Sequence, residues 1–262
     1  MKIIFFDIDG TLIENGGKLM PESAKEAIRI ARKNGHICMI NTGRTKRLVG
    51  EDITGQVEFD GLLLGCGTEI EYQGKSLMHK TLTLEESRRI LEAMKKYHVD
   101  GVLEGHDEDF APRGDEVYTD AFRGMAAEIE ERKYASYAQA PGNYDKLFVC
   151  AETPAGMDGM KRDLSDILDF IEREHGFYEL VPTGYSKATA IHYIADRLNI
   201  AMEDTAAIGD SNNDLPMLKC AHTSIAMGES SPQVLEMADY ITTDVDKDGI
   251  WNALKWLGVL DK

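Results

Sequence analysis

The strongest constraint on the fold is a short apolar run at the start of the chain, Ile3-Ile4-Phe5-Phe6, which ends at the acidic residue Asp7. A strand with apolar side chains at successive positions has no polar face. It therefore belongs inside a parallel sheet that helices cover on both faces. Open sheets of this kind bind ligands at the carboxyl ends of their strands. The polar residues that follow this run are the first candidates for a functional site.

Both ends of the chain alternate between strand and helix patterns. Apolar residues at helical spacing predict a helix over residues 21–33, and a second buried strand follows at 37–40. The C-terminal part predicts helices at 187–198, 213–218 and 233–237, with strands at 206–208 and 223–226. This alternation predicts an α/β domain with a parallel sheet and helices on both faces.

The central region follows a different pattern. It predicts a hairpin around Gln73-Gly74, an acidic loop at 106–112, a strand at 146–150, and helices at 84–97, 120–132 and 158–174. We predict that residues 81–185 form an inserted domain, and that residues 1–80 and 186–262 together form the α/β domain. The insert contains 23 acidic and 12 basic residues, so it carries −11 of the net charge of −17.

The segment Asp7-Ile8-Asp9-Gly10-Thr11 directly follows the first strand. Asp7 and Asp9 are two residues apart, which places both side chains on the same side of an extended chain. Two carboxylates at a strand end can share Mg²⁺, which prefers oxygen ligands. Gly10 lets the backbone turn sharply and approach a ligand closely. An ordinary Asp-Gly turn is the alternative for this segment taken alone.

Two more segments follow predicted strands in the same way. Thr42-Gly43-Arg44 offers a hydroxyl and an unhindered backbone N–H, both suited to a phosphoryl oxygen. In the segment 209–214, Asp210 could complete a metal site, and Asp214 could hold a lysine or a metal-bound water. A plain helix N-terminal turn is the alternative for the second segment.

Lys187 opens the helix that follows the insert. A lysine is unusual there, because helix N-termini favour anions. An anion held between Lys187 and the strand ends would resolve the conflict. The alternative is a solvated surface lysine on a helix capped by Ser186.

Composition excludes several classes of function. The chain has 46 acidic and 29 basic residues, and such a surface disfavours nucleic acids and anionic membranes. It contains no signal peptide pattern and no apolar window long enough to span a membrane. Its four cysteines are far apart, which favours small buried residues in a reducing cytoplasm over a metal cluster. We expect a cytoplasmic protein with a small-molecule substrate.

The four segments together resemble the haloacid dehalogenase superfamily of phosphohydrolases, and later landmarks resemble its Cof-like branch. The matching motifs are Asp7-Ile8-Asp9-Gly10-Thr11, Thr42-Gly43-Arg44, Lys187 and the run from Gly209 to Asp214. The spacing of the motifs resembles subclass IIB, which implies a Rossmann-like core with a parallel sheet and an inserted α+β cap of the C2 type. Two departures are Gly65-Cys66-Gly67 in place of the frequent Asn-Gly-Ala, and Asn41 in place of a hydrophobic residue before Thr42.

The resemblance also implies roles for individual residues. Asp7 would be the nucleophile that forms an aspartyl-phosphate, and Asp9 the general acid and base. Mg²⁺ would be held by the Asp7 carboxylate, the Asp9 backbone carbonyl and Asp210. The phosphate-binding residues would be Gly10, Thr42, Gly43, Lys187 and Asn213, supported by Asp214 and Arg44. A surface salt bridge is the alternative role for Arg44.

The reaction that this resemblance implies is hydrolysis of a small phosphorylated metabolite, with a sugar phosphate favoured. A sugar phosphomutase is the alternative, because related capped mutases carry the same motifs and return the phosphoryl group to a sugar.

Overall fold

Strand β1 (Ile3–Phe6), the apolar run at the start of the chain, is buried along its whole length. The computed structural model describes residues 1–261 and their side chains, except those of Asp115 and Glu174. The described residues divide into two units. The core unit comprises Met1–Arg44, Leu48–His79 and the chain from Tyr185 onward, and the insert unit comprises Lys80–Gly184 with Thr45–Arg47.

Most strands of the core unit form a parallel sheet around β1. The strands are β1, β2 (Ile37–Asn41), β3 (Gly61–Leu64), β4 (Glu69–Tyr72), β5 (Lys75–His79), β12 (Thr205–Gly209), β13 (Thr223–Ala226) and β14 (Tyr240–Ile241). Their order is β14-β13-β12-β1-β2-β3-β4-β5, and every pair from β14 to β3 is parallel. The antiparallel hairpin β4-β5 extends the sheet at one edge, as predicted around Gln73-Gly74.

Helices cover both faces of this sheet. They are α1 (Glu22–Lys33), α2 (Glu51–Thr54), α7 (Lys187–Leu198), α8 (Leu215–Cys220), α9 (Pro232–Met237) and α10 (Gly249–Trp256). Because side chains alternate along a strand, Ile4 and Phe6 pack in the core that contains α1 and α10. Ile3 and Phe5 pack in the opposite core, with α7, α8 and α9. The predicted α/β fold with a parallel sheet is confirmed.

The insert unit is built around a mostly antiparallel sheet. Its strands are β6 (Val99–Glu104), β7 (Asp109–Ala111), β8 (Ala135–Ser136), β9 (Lys146–Ala151), β10 (Leu168–Glu172) and β11 (Phe177–Pro182), in the order β10-β11-β9-β6-β7-β8. Its helices are α3 (Leu84–Tyr97), α4 (Asp120–Gly124), α5 (Ala126–Glu131) and α6 (Pro154–Leu164). Helices α3 and α6 pack in one apolar core, and α4 and α5 in another.

Two sequence-based expectations for the insert are wrong. The predicted helix at 158–174 ends at Leu164, because β10 begins at Leu168 and pairs with β11. Its residues Leu168 and Phe170 alternate into the same apolar core, which is a strand pattern. The predicted acidic loop at 106–112 contains β7, in which Asp109 is buried.

Within residues 1–261, no helix combines the length and the apolar content that a membrane-spanning helix requires.

Candidate active site

Three neighbouring parallel strands bring the predicted motifs to one edge of the core sheet. In the register of β1, Phe6 lies beside Ile208 of β12 and Ile40 of β2, so the three strands end at a common level. Asp7 follows β1 directly, and its backbone N–H donates to the Ile208 carbonyl at 3.0 Å. Thr42 follows β2 and Asp210 follows β12.

Lys187 is the first residue of α7, and its side chain is only 1% exposed. Its ammonium lies 2.6 Å from Oδ1 of Asp7 and 2.5 Å from Oδ1 of Asp214. Lys187 is therefore not a solvated surface lysine. Two carboxylates supply the negative charge that this helix terminus favours. Ser186 does cap the helix, because its hydroxyl accepts the Thr189 N–H at 3.1 Å.

Burial and mutual repulsion shift the ionisation of these groups. Burial, reinforced by Asp214, raises the pKa of Asp7 to about 7. Burial together with Asp214 and Asp7 raises the pKa of Asp210 to about 8. Burial opposes the charge on Lys187, but Asp214 and Asp7 outweigh it and raise the pKa of that lysine. The site therefore holds more negative charge than one lysine balances.

Asp210 is held against the turn that follows β1. The Thr11 hydroxyl donates to Oδ1 of Asp210 at 3.3 Å. Gly10 has a φ of +76°, and a Cβ at that position would lie 2.4 Å from Oδ2 of Asp210. A residue with a side chain would displace this carboxylate, so glycine is required both by the backbone conformation and by the space.

Asp214 anchors the loop after β12. One of its oxygens binds the Lys187 ammonium, and the other accepts the backbone N–H groups of Asp210 and Ser211, both at 3.0 Å. Both carboxylate oxygens of Asp214 therefore have hydrogen-bond partners within the chain. Asp214 is thus placed to hold Lys187 and Asp210 in position.

Asp9 has different surroundings from Asp7. Its carboxylate is 40% exposed and forms a bidentate ion pair with Arg44, with Nε–Oδ2 at 2.8 Å and Nη2–Oδ1 at 2.5 Å. The guanidinium also donates to the Leu48 carbonyl at 3.3 Å. Arg44 therefore lies at the site and orients the second carboxylate of the first motif.

The remaining predicted residues flank this cluster. Thr42 is buried, and its hydroxyl oxygen accepts the Arg44 backbone N–H at 3.2 Å, which leaves the hydroxyl proton for another acceptor. Gly43 follows it in the chain. Asn213 lies in the turn after β12, where its Oδ1 accepts the Ser211 hydroxyl.

Sequence reasoning missed Asn41 and Thr11 as parts of the site. Asn41 is fully buried at the end of β2, and its Nδ2 donates to the backbone carbonyl of Lys187 at 3.0 Å. The available signal was a polar residue at the end of an otherwise apolar strand, Ile37-Cys38-Met39-Ile40.

The donor set fits a hard divalent cation. Asp7, Asp210 and Asp214 each offer an oxygen, and these oxygens lie within 4.8 Å of one another. Divalent cations such as Mg²⁺ prefer carboxylate oxygens and retain several waters. Burial and neighbouring aspartates raise the pKa of Asp7 and of Asp210, so a cation bound among these carboxylates would stabilise their ionised forms.

The core sheet, the carboxylates and lysine at its strand ends, and the separate insert define an α/β enzyme with an inserted unit. The haloacid dehalogenase-like hydrolase family matches residues 4–254, and the chain belongs to this family. The resemblance inferred from the four motifs is confirmed at this level.

Known proteins are similar along almost the whole chain. YkrA of Bacillus subtilis (strain 168) is 28% identical over 99% of this chain and 98% of its own. The 5-amino-6-(5-phospho-D-ribitylamino)uracil phosphatase YcsE of the same organism is 26% identical, over 97% and 95%. Among solved structures, BT1666 of Bacteroides thetaiotaomicron, a phosphatase of this superfamily, is 25% identical with a TM-score of 0.86, over 99% and 96%.

Proposed function

We propose that this chain is a Mg²⁺-dependent phosphatase that hydrolyses a small phosphate monoester through an aspartyl-phosphate on Asp7. The observation that carries the proposal is the position of Asp7. Its carboxylate lies at the end of a central strand, with Lys187 against one oxygen and Asp210 and Asp214 beside it. Both YcsE and BT1666 are phosphatases by name.

Asp7 has the properties of a nucleophile for phosphorus. Lys187 binds Oδ1, and among the described residues no hydrogen bond reaches Oδ2. That oxygen would attack phosphorus, form the Asp7–phosphorus bond and release the alcohol oxygen of the ester. Bound Mg²⁺, held by Asp7 and Asp210 with the Asp9 backbone carbonyl, would neutralise charge on the phosphoryl group.

Asp9 is suited to proton transfer because it is only partly buried and is oriented by Arg44. In the first half-reaction it would donate a proton to the departing alcohol oxygen. In the second it would take a proton from the water that attacks phosphorus, so that the Asp7–phosphorus bond breaks and inorganic phosphate leaves. Taking this proton returns Asp9 to the protonated form in which it began, and the hydroxyl of the attacking water leaves with phosphorus as hydrogen phosphate.

The transferred phosphoryl group needs positive charge and hydrogen-bond donors more than it needs further covalent chemistry. Lys187 would supply the fixed positive charge. The Thr42 hydroxyl, the Gly43 N–H group and the Asn213 amide would supply the donors. The Gly10 N–H, which the sequence also suggested, donates to the Ile13 carbonyl at 2.8 Å and so does not join them. The buried position of Lys187 strengthens its interaction with an anion, because water does not screen it.

We propose a sugar or polyol phosphate as the substrate class. The name of YcsE specifies a phosphate ester at the end of a ribityl chain. The insert carries a net charge of −11, which disfavours large polyanions such as oligonucleotides relative to small monoesters.

The test is hydrolysis of para-nitrophenyl phosphate and of a panel of sugar and polyol phosphates, with Mg²⁺ and with a chelator. We expect turnover only with Mg²⁺. Asp7→Asn keeps the shape of the side chain but removes the nucleophile, so we expect turnover to fall by about 10³-fold or more. Near wild-type turnover of this variant would contradict the role of Asp7.

Product analysis separates hydrolysis from the mutase alternative. A phosphatase releases one inorganic phosphate for each ester consumed. A phosphomutase requires a bisphosphorylated sugar and leaves its product phosphorylated, and this outcome would replace the proposal.

A further inference from the structure

Asn41 holds the start of helix α7, and the contact joins residues that are 146 positions apart in sequence. Its Nδ2 donates to the backbone carbonyl of Lys187 at 3.0 Å. In a helix this carbonyl already accepts the N–H four residues later, so Asn41 binds its second lone pair. The side chain therefore fixes the backbone of the residue whose ammonium meets Asp7 and Asp214.

The other oxygen of the Asn41 amide argues against a role in stability alone. Asn41 is fully buried, and among the described residues Oδ1 has no hydrogen-bond partner. A buried carbonyl without a partner is unfavourable for folding, and an apolar side chain of the same size would avoid that cost. Residues that break a local folding rule in this way concentrate at functional sites.

The backbone of Gly67 limits the start of α7 as well. Gly67 has a φ of +91°, and a Cβ there would lie 2.4 Å from the Ser186 carbonyl oxygen. Its Cβ would also lie 3.3 Å from Cβ of Ala190, one turn further along α7. The first turn of α7 is therefore held by a donor from β2 and by close packing of the Gly67 backbone.

We propose that Asn41 is a positioning residue that acts through Lys187, setting the place of its ammonium for binding of the phosphoryl group. The proposal rests on the function proposed above. Loss of the hydrogen bond would let the start of α7 shift relative to Asp7 and Asp214, and displacements of this kind weaken phosphate binding and turnover.

The test compares wild type, Asn41→Leu, Lys187→Ala and the double variant. For each protein we would measure the affinity for inorganic phosphate by direct titration in the presence of Mg²⁺. We would also measure kcat/KM with para-nitrophenyl phosphate and the melting temperature. We expect Asn41→Leu to weaken phosphate binding and lower kcat/KM by about 3- to 10-fold, the range for one hydrogen bond. Its melting temperature should be unchanged or higher, because the buried orphan oxygen is removed.

Asn34→Leu is the matched control. Asn34 also donates to a backbone carbonyl at 3.0 Å, that of Val259, but it lies at the end of α1 and not at the site. We expect this variant to melt at a lower temperature with wild-type kinetics and phosphate affinity. If Asn41→Leu does not fold, Asn41→Ala, which adds no bulk, takes its place in the same measurements.

The double variant decides whether Asn41 acts through Lys187. We expect Asn41→Leu to add no further loss to Lys187→Ala, because coupled residues are not additive. Wild-type affinity and kinetics in Asn41→Leu, or fully additive losses in the double variant, would overturn the proposal. A wild-type protein that binds phosphate but hydrolyses no ester would instead refute the proposed function, and the phosphate titrations would still test Asn41.

Discussion

Replacing Asp210 with Asn should make the metal-free protein more stable and remove most of the stabilisation that Mg²⁺ brings. Asp210 is buried beside Asp7 and Asp214, and burial with these neighbours raises its pKa from 3.8 to about 8. Folding without a cation therefore disfavours its ionised form. Asn keeps the oxygen that accepts from the Thr11 hydroxyl at 3.3 Å and removes the charge.

The direction of the pH dependence follows from this raised pKa. The unfolded carboxyl ionises near 3.8, whereas the folded one keeps its proton until about pH 8. Between these values the folded state binds more protons, so its stability falls as the pH rises. The advantage of Asp210→Asn should therefore be small near pH 4 and largest at pH 8.

The expected magnitudes are measurable by thermal melting. Each unit of raised pKa corresponds to about 1.4 kcal/mol, and 1 kcal/mol shifts the melting temperature of a chain of this size by about 2–4 °C. A single unit of raised pKa is thus equivalent to about 3–6 °C in melting temperature. We therefore expect Asp210→Asn to melt at least about 3 °C above metal-free wild type at pH 8. Mg²⁺ at 100 times its Kd adds about 2.7 kcal/mol, or roughly 5–10 °C, to wild type alone.

The assay is a melting series from pH 5 to pH 8, with Mg²⁺ and with a chelator. Asp107→Asn is the matched control, because that side chain is 95% exposed and the same charge is removed. A metal-free Asp210→Asn that is less stable than wild type at pH 8 would refute the reasoning. An equal Mg²⁺ shift in both proteins would also refute it.

Two further predictions concern the buried lysines of the two units. Lys187→Ala should weaken inhibition by inorganic phosphate and lower turnover, and an unchanged inhibition constant would show that Lys187 does not bind the phosphoryl group. Lys146 lies 2.6 Å from Glu104 and 2.7 Å from Glu179. Lys146 and Glu179 are buried and the Glu104 side chain is only 12% exposed, so Lys146→Met should cost about 3–5 kcal/mol at pH 7. Burial raises the pKa of Glu104, so this loss should shrink at acidic pH as carboxylates take up protons. The control Lys96→Met removes a lysine that is 61% exposed and should cost less than about 1 kcal/mol, and equal losses in the two variants would contradict the argument.

The fold of the core unit was predictable because short, continuous stretches of its sequence identify its strands and helices. Continuous apolar runs define β1 and β2 as buried strands, and the polar residues that follow them lie at one sheet edge because parallel strands end together. The alternation of strands and helices then fixes the fold class. Helix α7 also follows the predicted bounds of 187–198.

The insert sheet was mostly missed because its strands carry charged residues into buried positions. Lys146 on β9 is buried, and it forms ion pairs with Glu104 on β6 and Glu179 on β11. In sequence, charged residues therefore interrupt the apolar pattern of β6 and β11, whereas in β9 the charge lies at the first residue and the strand was predicted at 146–150. Ion pairing between distant strands does not leave a periodic signal that one sequence shows.

The environment of Lys187 was equally hidden. Its partner Asp7 is 180 residues away, and only the folded sheet brings them together. The sequence indicated that a cation at a helix N-terminus needs an anion. It indicated Asp214 as one partner of the lysine, but not that Asp7 would be the second or that Asn41 would bind the backbone carbonyl of Lys187.

The charges at the strand ends show how a chain with a net charge of −17 can bind an anionic ester. The ionised forms of Asp7, Asp210 and Asp214 with protonated Lys187 leave two negative charges, which one divalent cation balances. A phosphate dianion would then meet a neutral cluster in which the Lys187 ammonium lies against Asp7 and Asp214. The remaining acidic residues of the chain act through solvent, where fields decay within about 8 Å at physiological ionic strength. Their charge should therefore weaken the binding of long polyanions more than the binding of a small monoester. Added salt should reduce this difference in affinity.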